Sequence, residues 1–314
     1  MLTQQDVIWA YKVLFERMPE NSAVMEEKMG CGDMKTLRDS LMASTEFKEK
    51  SKEAGNSIVM VEDTDGDRFW IDLNDQFIGR GILQGKYEPH VLNLMKKWIQ
   101  PGTHVLDIGA NVGYFSIKMA RMVGSKGTVL SYEPMPHVYS LLDRTVRENL
   151  RRDHPDMGDV CCLNEAVGAS ESKLNLIYAP DTINHGGAYL AELGTEPPPN
   201  HTAATVQVYP LDALQIEDQG QGVSFIKMDV EGAEPLVIEG GRQFLKRHKY
   251  PPIITEVHRD QLRKVSNCSP NQYMNMLRDL GYKPLAITGD NEMQAIGDLP
   301  DNRPFQIDVF AVRP

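Results

Sequence analysis

The chain has 314 residues, 41% of them hydrophobic and 25% charged, enough for one full-sized core with a small addition. Its formal net charge is −11 and no Lys/Arg cluster suited to a phosphate backbone breaks the acidic bias, which disfavours a nucleic-acid partner against a small molecule or a neutral polymer. Four cysteines (Cys31, Cys161, Cys162, Cys268) without a C-x-x-C pair, no charged-then-apolar leader, and no apolar run near the roughly 18 residues of a membrane helix predict a reduced, cytoplasmic protein with no membrane span.

Val7, Ile8, Tyr11, Leu14 and Phe15 recur at helical spacing, Pro19-Glu20-Asn21 breaks the pattern, and two short amphipathic segments follow through Met25 and Leu37 to Phe47. Residues 1–55 therefore read as a small helical module bounded by the polar stretch 48–56. Such a module suits contact with a partner, a polymeric acceptor or a second copy of the chain. Alternating runs at 57–61 and 68–73 flank Asp63-Thr64-Asp65-Gly66-Asp67 and predict a β-hairpin, with residues 56–87 as hairpin plus connector. The acidic turn invites calcium, but a calcium loop wants Gly at its sixth position and Glu at its twelfth, where Arg68 and Asn74 stand.

From Glu88 strand and helix alternate. Seven strands are legible at 104–108, 127–133, 159–163, 223–229, 252–257, 282–287 and 305–312. The alternation predicts an α/β domain over 88–314, a mostly parallel sheet covered by helices on both faces, with its ligand crevice beyond the C-terminal ends of the central strands. Residues 170–210 are an insertion carrying Asn184-His185-Gly186-Gly187-Ala188 and the stiff Glu196-Pro197-Pro198-Pro199. Its place near the rim reads as a lid; the alternative is a surface hairpin without a role.

The stretch HVLDIGANVGYFSIKMA, residues 104–120, is strand, glycine turn and helix, the layout of a nucleotide loop. A dinucleotide fingerprint wants three glycines as G-x-G-x-x-G, and this loop offers Gly109, Asn111 and Gly113. Asp107, two residues before the first glycine, would oppose a phosphate and suits a cationic ligand. Glu133 ends the next strand, 20 residues beyond Gly113, where an acid can accept both ribose hydroxyls. Two acidic strand ends around such a loop fit S-adenosylmethionine, which carries a sulfonium and an ammonium and no phosphate, better than NAD.

VLDIGANVGYFS, SYEPMPHVYSLL, NEAVGASES, VYPLDAL, FIKMDVEGAEPLVIEGGRQFL and IITEVH, in this order and spacing, resemble the FkbM family of S-adenosylmethionine-dependent methyltransferases over residues 85–285. The resemblance implies the seven-stranded, Rossmann-like class I methyltransferase fold and, for many relatives, methylation of a hydroxyl on a sugar, glycan or secondary metabolite. It also implies a cofactor site at Glu88, Asp107, Gly109, Ala110, Asn111, Gly113, Glu133, Ala166 and Asp229.

Methyl transfer from a sulfonium leaves the protein two tasks, alignment and removal of the acceptor's proton. The fourth strand ends in Lys227-Met228-Asp229-Val230-Glu231-Gly232-Ala233-Glu234, carboxylates standing where enzymes that methylate planar amines carry Asn/Asp-Pro-Pro-aromatic. The fifth supplies Glu256 and His258 at i, i+2, on one side of the strand. His258 is the candidate base, Asp229 and Glu256 its helpers; alternatively Asp229 and Glu231 or Glu234 cap the following helix. Asp229, Glu256 and His258 could also hold a divalent metal, although no spacing signature establishes one. An NAD-linked oxidoreductase shares the strand-loop-helix opening but needs the missing glycine, and a non-catalytic adaptor would keep the fold without turnover.

Overall fold

A computed structural model describes residues 2–15, 17–33, 36–37, 40–41, 44–46, 58–72, 75, 78–83, 87–150, 156–179, 187–216, 222–289 and 292–314. The helical spacing at the start becomes α1 (Gln4–Phe15), followed by α2 (Ser22–Met29), whose first turn is closed by the Asn21 side chain accepting the Val24 N–H at 3.0 Å. Val7, Ala10 and Tyr11, with Leu37 and Leu41, are buried in the same apolar cluster as Val61, Phe69 and Ile71 of the hairpin. Apolar packing, and not only the covalent chain, thus joins this segment to the rest. The polar boundary proposed at 48–56 lies outside the described residues.

The hairpin pairs β1 (Ile58–Glu62) with β2 (Arg68–Asp72), Ile58 opposite Asp72 and Glu62 opposite Arg68. Next come α3 (Ile78–Leu83), α4 (Pro89–Trp98), β3 (His104–Ile108), α5 (Tyr114–Val123), β4 (Thr128–Tyr132), α6 (Pro136–Leu150) and β5 (Asp159–Leu163). Next is β6 (Ala166–Val167), and the inserted region holds β7 (Ser172–Tyr178), β8 (Tyr189–Ala191) and β9 (Thr202–Tyr209). The chain then runs through β10 (Val223–Met228), α7 (Glu234–Glu239), α8 (Arg242–Arg247), β11 (Ile253–His258), α9 (Arg259–Ser266), α10 (Pro270–Asp279), β12 (Lys283–Gly289), β13 (Glu292–Ala295) and β14 (Gln306–Val312).

The main sheet has the order β13-β12-β14-β11-β10-β3-β4-β5. Pairs from β11 to β5 are parallel, whereas β14 runs antiparallel between β11 and β12. This is the class I methyltransferase fold, and its strand order reverses between β3 and β10, which opens a crevice there. The sheet has eight strands rather than seven. β13 escapes sequence reading because all four of its residues are exposed, leaving no apolar alternation. The inserted region is likewise no loose flap: β6-β9-β7-β8 form a second sheet, with Leu176, Leu190, Val206 and Val208 buried beneath it. Asn184, His185 and Gly186 lie outside the described residues.

The hairpin docks on α5 and α6 through polar contacts as well as apolar ones. Trp70 donates its N–H to Thr145 Oγ1 at 3.0 Å, and Asn149 bonds both the N–H and the carbonyl of Arg68 at 3.0 and 2.7 Å. At the acidic turn, the Lys118 ammonium of α5 stands 2.6 Å from Asp63, 2.6 Å from Asp65 and 2.7 Å from Asp67, and Arg121 Nε donates to Asp67 at 2.6 Å. A side-chain cation fills the position for which the turn invites a metal.

Candidate active site

The site is built where β3 gives way to its glycine turn. Gly109 has φ +83°, and a Cβ there would lie 1.8 Å from the Asp229 carbonyl oxygen. Only glycine lets the turn pass the end of β10 so closely. The N–H groups of Gly109 and Ala110 both donate to the Tyr132 carbonyl at 2.9 Å, which fixes the turn to β4. Asn111, left-handed at φ +48°, donates its N–H to Glu133 Oε2 at 2.9 Å, and Met135 N–H donates to Glu133 Oε1 at 2.9 Å. Burial pushes the Glu133 carboxyl up to about 7, although these two donors favour its charged form.

A cavity of about 430 Å³ opens over these strand ends. Of the residues the sequence nominates, Glu88, Gly109, Ala110, Asn111, Glu133, Ala166, Asp229, Glu256 and His258 line it. The described part of the insertion adds Leu176, Gly187, Ala188 and Leu190 to the wall. Gly113 and Asp107 are not on it. Gly113 precedes α5 at φ +89°, packed so that a Cβ would lie 2.7 Å from a Leu142 methyl. Asp107 is wholly buried behind the turn, where Oδ2 accepts the Ser116 hydroxyl at 2.6 Å and Oδ1 has no hydrogen-bond partner. The expectation of a carboxylate facing the ligand is corrected: Asp107 ties β3 to α5 and acts on the cavity only through its field.

That field meets Lys227, a cation without an assigned role in the sequence reading. Its Nζ is 3.3 Å from Asp229 Oδ2, 3.5 Å from the Gly109 carbonyl and 5.1 Å from the centre of the Phe115 ring. Burial works against the ammonium, but Asp229, Asp107 and Glu88 outweigh it and raise the Lys227 pKa. A lysine inside the apolar strand FIKMD was the available signal, since a lysine facing a core needs acidic partners. Glu88 precedes α4 with a left-handed φ of +40°. Burial pushes its carboxyl up to about 7, with Asp229 adding to the rise and Lys227 opposing it.

The β10–α7 turn separates two roles. Glu234 braces the turn and no side chain caps the helix: Oε1 accepts the N–H groups of Val230 and Gly232, ahead of α7, at 3.0 and 3.3 Å. Asp229 does not cap it either and stays on the cavity wall. Glu231 also lines the cavity, left-handed at φ +52°, with its carboxyl pushed up to about 8 by burial and then by Asp229 and Glu234. On β11, burial followed by Asp229 and Glu231 raises the Glu256 carboxyl, which accepts a bond from the Gln306 carboxamide of β14. His258 is the N-cap residue of α9, and its Nδ1 accepts the Gln261 N–H at 3.3 Å. That bond engages the ring's lone pair and leaves the proton of the neutral imidazole on Nε2. The lone pair a general base would use is therefore occupied.

Asp229, Glu256 and His258 do not gather as metal ligands. Among the described residues, only Asp63, Asp65 and Asp67 bring three donor atoms within 4.8 Å of one another, and they surround Lys118. No described helix is long and apolar enough to cross a membrane.

The comparisons with known proteins meet this geometry. A curated relative, protein-L-isoaspartate O-methyltransferase of Caenorhabditis elegans, is 34% identical over 65 residues, 19% of this chain and 29% of that protein. Ribosomal RNA large subunit methyltransferase E of Chromobacterium violaceum is 27% identical over 148 residues, 38% of this chain and 72% of that protein. Among solved structures, methyltransferase FkbM of Methylobacillus flagellatus aligns with 97% of this chain and 58% of its own, at 14% identity and a TM-score of 0.42. The chain thus spans under a third of the first relative and little more than half of that structure. The profile of the Methyltransferase FkbM domain matches residues 107–284, more than half of the 314 residues, from Asp107 through the turn, Glu133 and the β10 carboxylates to β12. The chain carries a methyltransferase FkbM domain and belongs to the FkbM family.

Proposed function

We propose that the protein transfers the methyl group of S-adenosylmethionine to a hydroxyl on a sugar, a glycan or a secondary metabolite. One observation carries the choice of oxygen: the end of β10 turns Asp229 and Glu231 to the cavity, where a planar amine would call for an amide-binding Asn/Asp-Pro-Pro-aromatic. The fit to the cofactor rests on Glu133, whose two oxygens each hold one backbone N–H and keep lone pairs for ribose hydroxyls. It rests also on the sign of the wall, which carries six carboxyl groups and one lysine among its described residues, a setting for a ligand with a sulfonium and an ammonium. Gly109 to Asn111 and Ala166 would hold the nucleoside part, and Glu88 and Asp229 would face the cationic end.

When bound, the cofactor supplies a methyl already activated by positively charged sulfur. Asp229 takes the acceptor's proton on a carboxylate oxygen, with the Lys227 ammonium 3.3 Å away balancing its charge. His258, its Nδ1 engaged by Gln261, donates from Nε2–H and orients the acceptor oxygen. Glu256 steadies that side through Gln306. The proton-accepting role thus passes from imidazole to carboxylate.

The test is methyl transfer from radiolabelled S-adenosylmethionine to fractionated cell extract. Label in an ether, stable to alkali, is the expected result; label in an alkali-labile ester or on nitrogen overturns the assignment. Cells lacking the gene should accumulate a metabolite or glycan lighter by one methylene.

A further inference from the structure

The cavity wall is not uniformly charged. On the β10, β11 and β14 side stand Asp229, Glu231 and Glu256, joined by Glu88 from the start of α4. Lys227, the one ammonium on the wall among the described residues, is engaged by Asp229 and the Gly109 carbonyl. Glu231 and Glu256 have no salt-bridge partner among those residues. Each is paired instead with a neutral carboxamide, Glu231 with Gln261 of α9 and Glu256 with Gln306 of β14. Glu231 holds its position in a left-handed conformation that a residue with a Cβ adopts only when its surroundings impose it, and Gly232 beside it is left-handed as well, at φ +95°.

From this arrangement we propose that the acceptor carries a protonated amine besides the hydroxyl that is methylated, with the ammonium seated on Glu231 and Glu256, and that phosphorylated and carboxylated acceptors are turned away. The proposal rests on the O-methyltransferase reading above. An ammonium brings three N–H donors to carboxylates that already have their amide partners, and its charge relieves the repulsion among Asp229, Glu231 and Glu256 in a site where burial magnifies that repulsion. A neutral polyol would satisfy hydrogen bonds and leave the charges unbalanced. An anion would add negative charge beside four carboxyl groups that already repel one another. Burial and mutual repulsion already drive Glu231 and Glu256 toward their protonated forms, as expected of a site that lacks its counterion.

The experiment titrates the protein, saturated with S-adenosylhomocysteine, with three oligosaccharide probes: oligoglucosamine, its fully N-acetylated counterpart and oligogalacturonate. Calorimetry should show the amine form bound tighter than the acetylated form by about tenfold or more, with the galacturonate not bound. Glu231→Gln should erase that preference, and its unaltered affinity for S-adenosylhomocysteine will show that the variant is folded. Glu256→Gln should weaken the preference in the same direction. Equal affinity for the amine and acetylated probes, tighter binding of the acid, no binding of the amine, or a preference that survives Glu231→Gln overturns the proposal. Failure of S-adenosylhomocysteine itself to bind overturns the parent reading together with this one, and the cofactor titration alone identifies that case.

Discussion

Glu133 and Asp229 are both acids at the C-terminal ends of the two parallel strands that flank β3, yet their surroundings differ. Glu133 is nearly enclosed and held by two backbone N–H donors, and the turn it braces is pinned again by the Tyr132 carbonyl. Asp229 stays about 30% exposed, with a lysine as its hydrogen-bonding partner and Glu88, Glu231 and Glu256 crowding the same wall. One half of the cavity is finished by the backbone; the other leaves its valences to what arrives. Rigid donors suit a constant cofactor, and unsatisfied charge suits a step that moves a proton.

The comparison is broken most sharply at Asp229. Asp229→Asn should lower turnover by about two to four powers of ten while altering cofactor affinity far less. Near-parental turnover would return the proton-accepting role to another group. His258→Ala should cost less than Asp229→Asn, since Nδ1 serves the first turn of α9; a larger loss would reverse the two roles.

On the braced half, Glu133→Ala should weaken S-adenosylmethionine at least about tenfold by removing charge-assisted bonds to ribose, with Asn111 and Met135 left without their acceptor. Unchanged affinity in calorimetry, with the fold intact, would sink the ribose assignment.

Acid–base linkage sharpens the contrast further. Glu88, Glu133 and Glu231 are raised from 4.5 to about 7, 7 and 8, so the folded protein binds their protons more tightly than the unfolded chain does. Their support for folding is fully present below 4.5 and is withdrawn as pH climbs through 7 to 8, so the unliganded protein should melt earlier toward pH 8. Affinity for cationic S-adenosylmethionine should rise over the same window more steeply than affinity for S-adenosylhomocysteine. Parallel pH profiles for the two ligands would contradict a carboxyl-dominated wall.

The smallest effect on the cavity is expected from the N-terminus. Its described lining begins at Ile78, so deleting residues 1–57 should leave cofactor affinity within about twofold. The same deletion uncovers the apolar cluster at Val61, Phe69 and Ile71 and should lower the melting temperature by several degrees. Loss of cofactor binding in a folded truncation would show the helices to be part of the site.

What could be read from sequence follows from what each residue's neighbours are. β3 and β5 fall at their predicted bounds and β10 within one residue, because short apolar runs between turn signals have few other uses. The turn, Glu133 and the carboxylates of β10 and β11 were legible because strand order brings successive strand ends to one rim. Lys227 was opaque because its three acidic influences, Asp229, Asp107 and Glu88, reach it from β10's own exit, from β3 and from the start of α4. The engaged lone pair of His258 was opaque for another reason: it depends on α9 beginning directly after that residue, and helix boundaries are uncertain by more than one position. The inserted sheet hid because β6 and β8 are only 2 and 3 residues long and Pro197-Pro198-Pro199 separates β8 from β9.

The Lys118 ammonium among Asp63, Asp65 and Asp67 has a consequence for how the hairpin is held. A bound calcium ion would make that anchorage a mass-action equilibrium, subject to chelators and to whatever divalent ion the surroundings supply. A cation covalently tethered to α5 has no dissociation constant of that kind. The hairpin's grip on the helix behind the cofactor turn is therefore indifferent to chelation, and Lys118→Met would hand this carboxylate cup back to the solvent's own ions, a change that terbium luminescence would report.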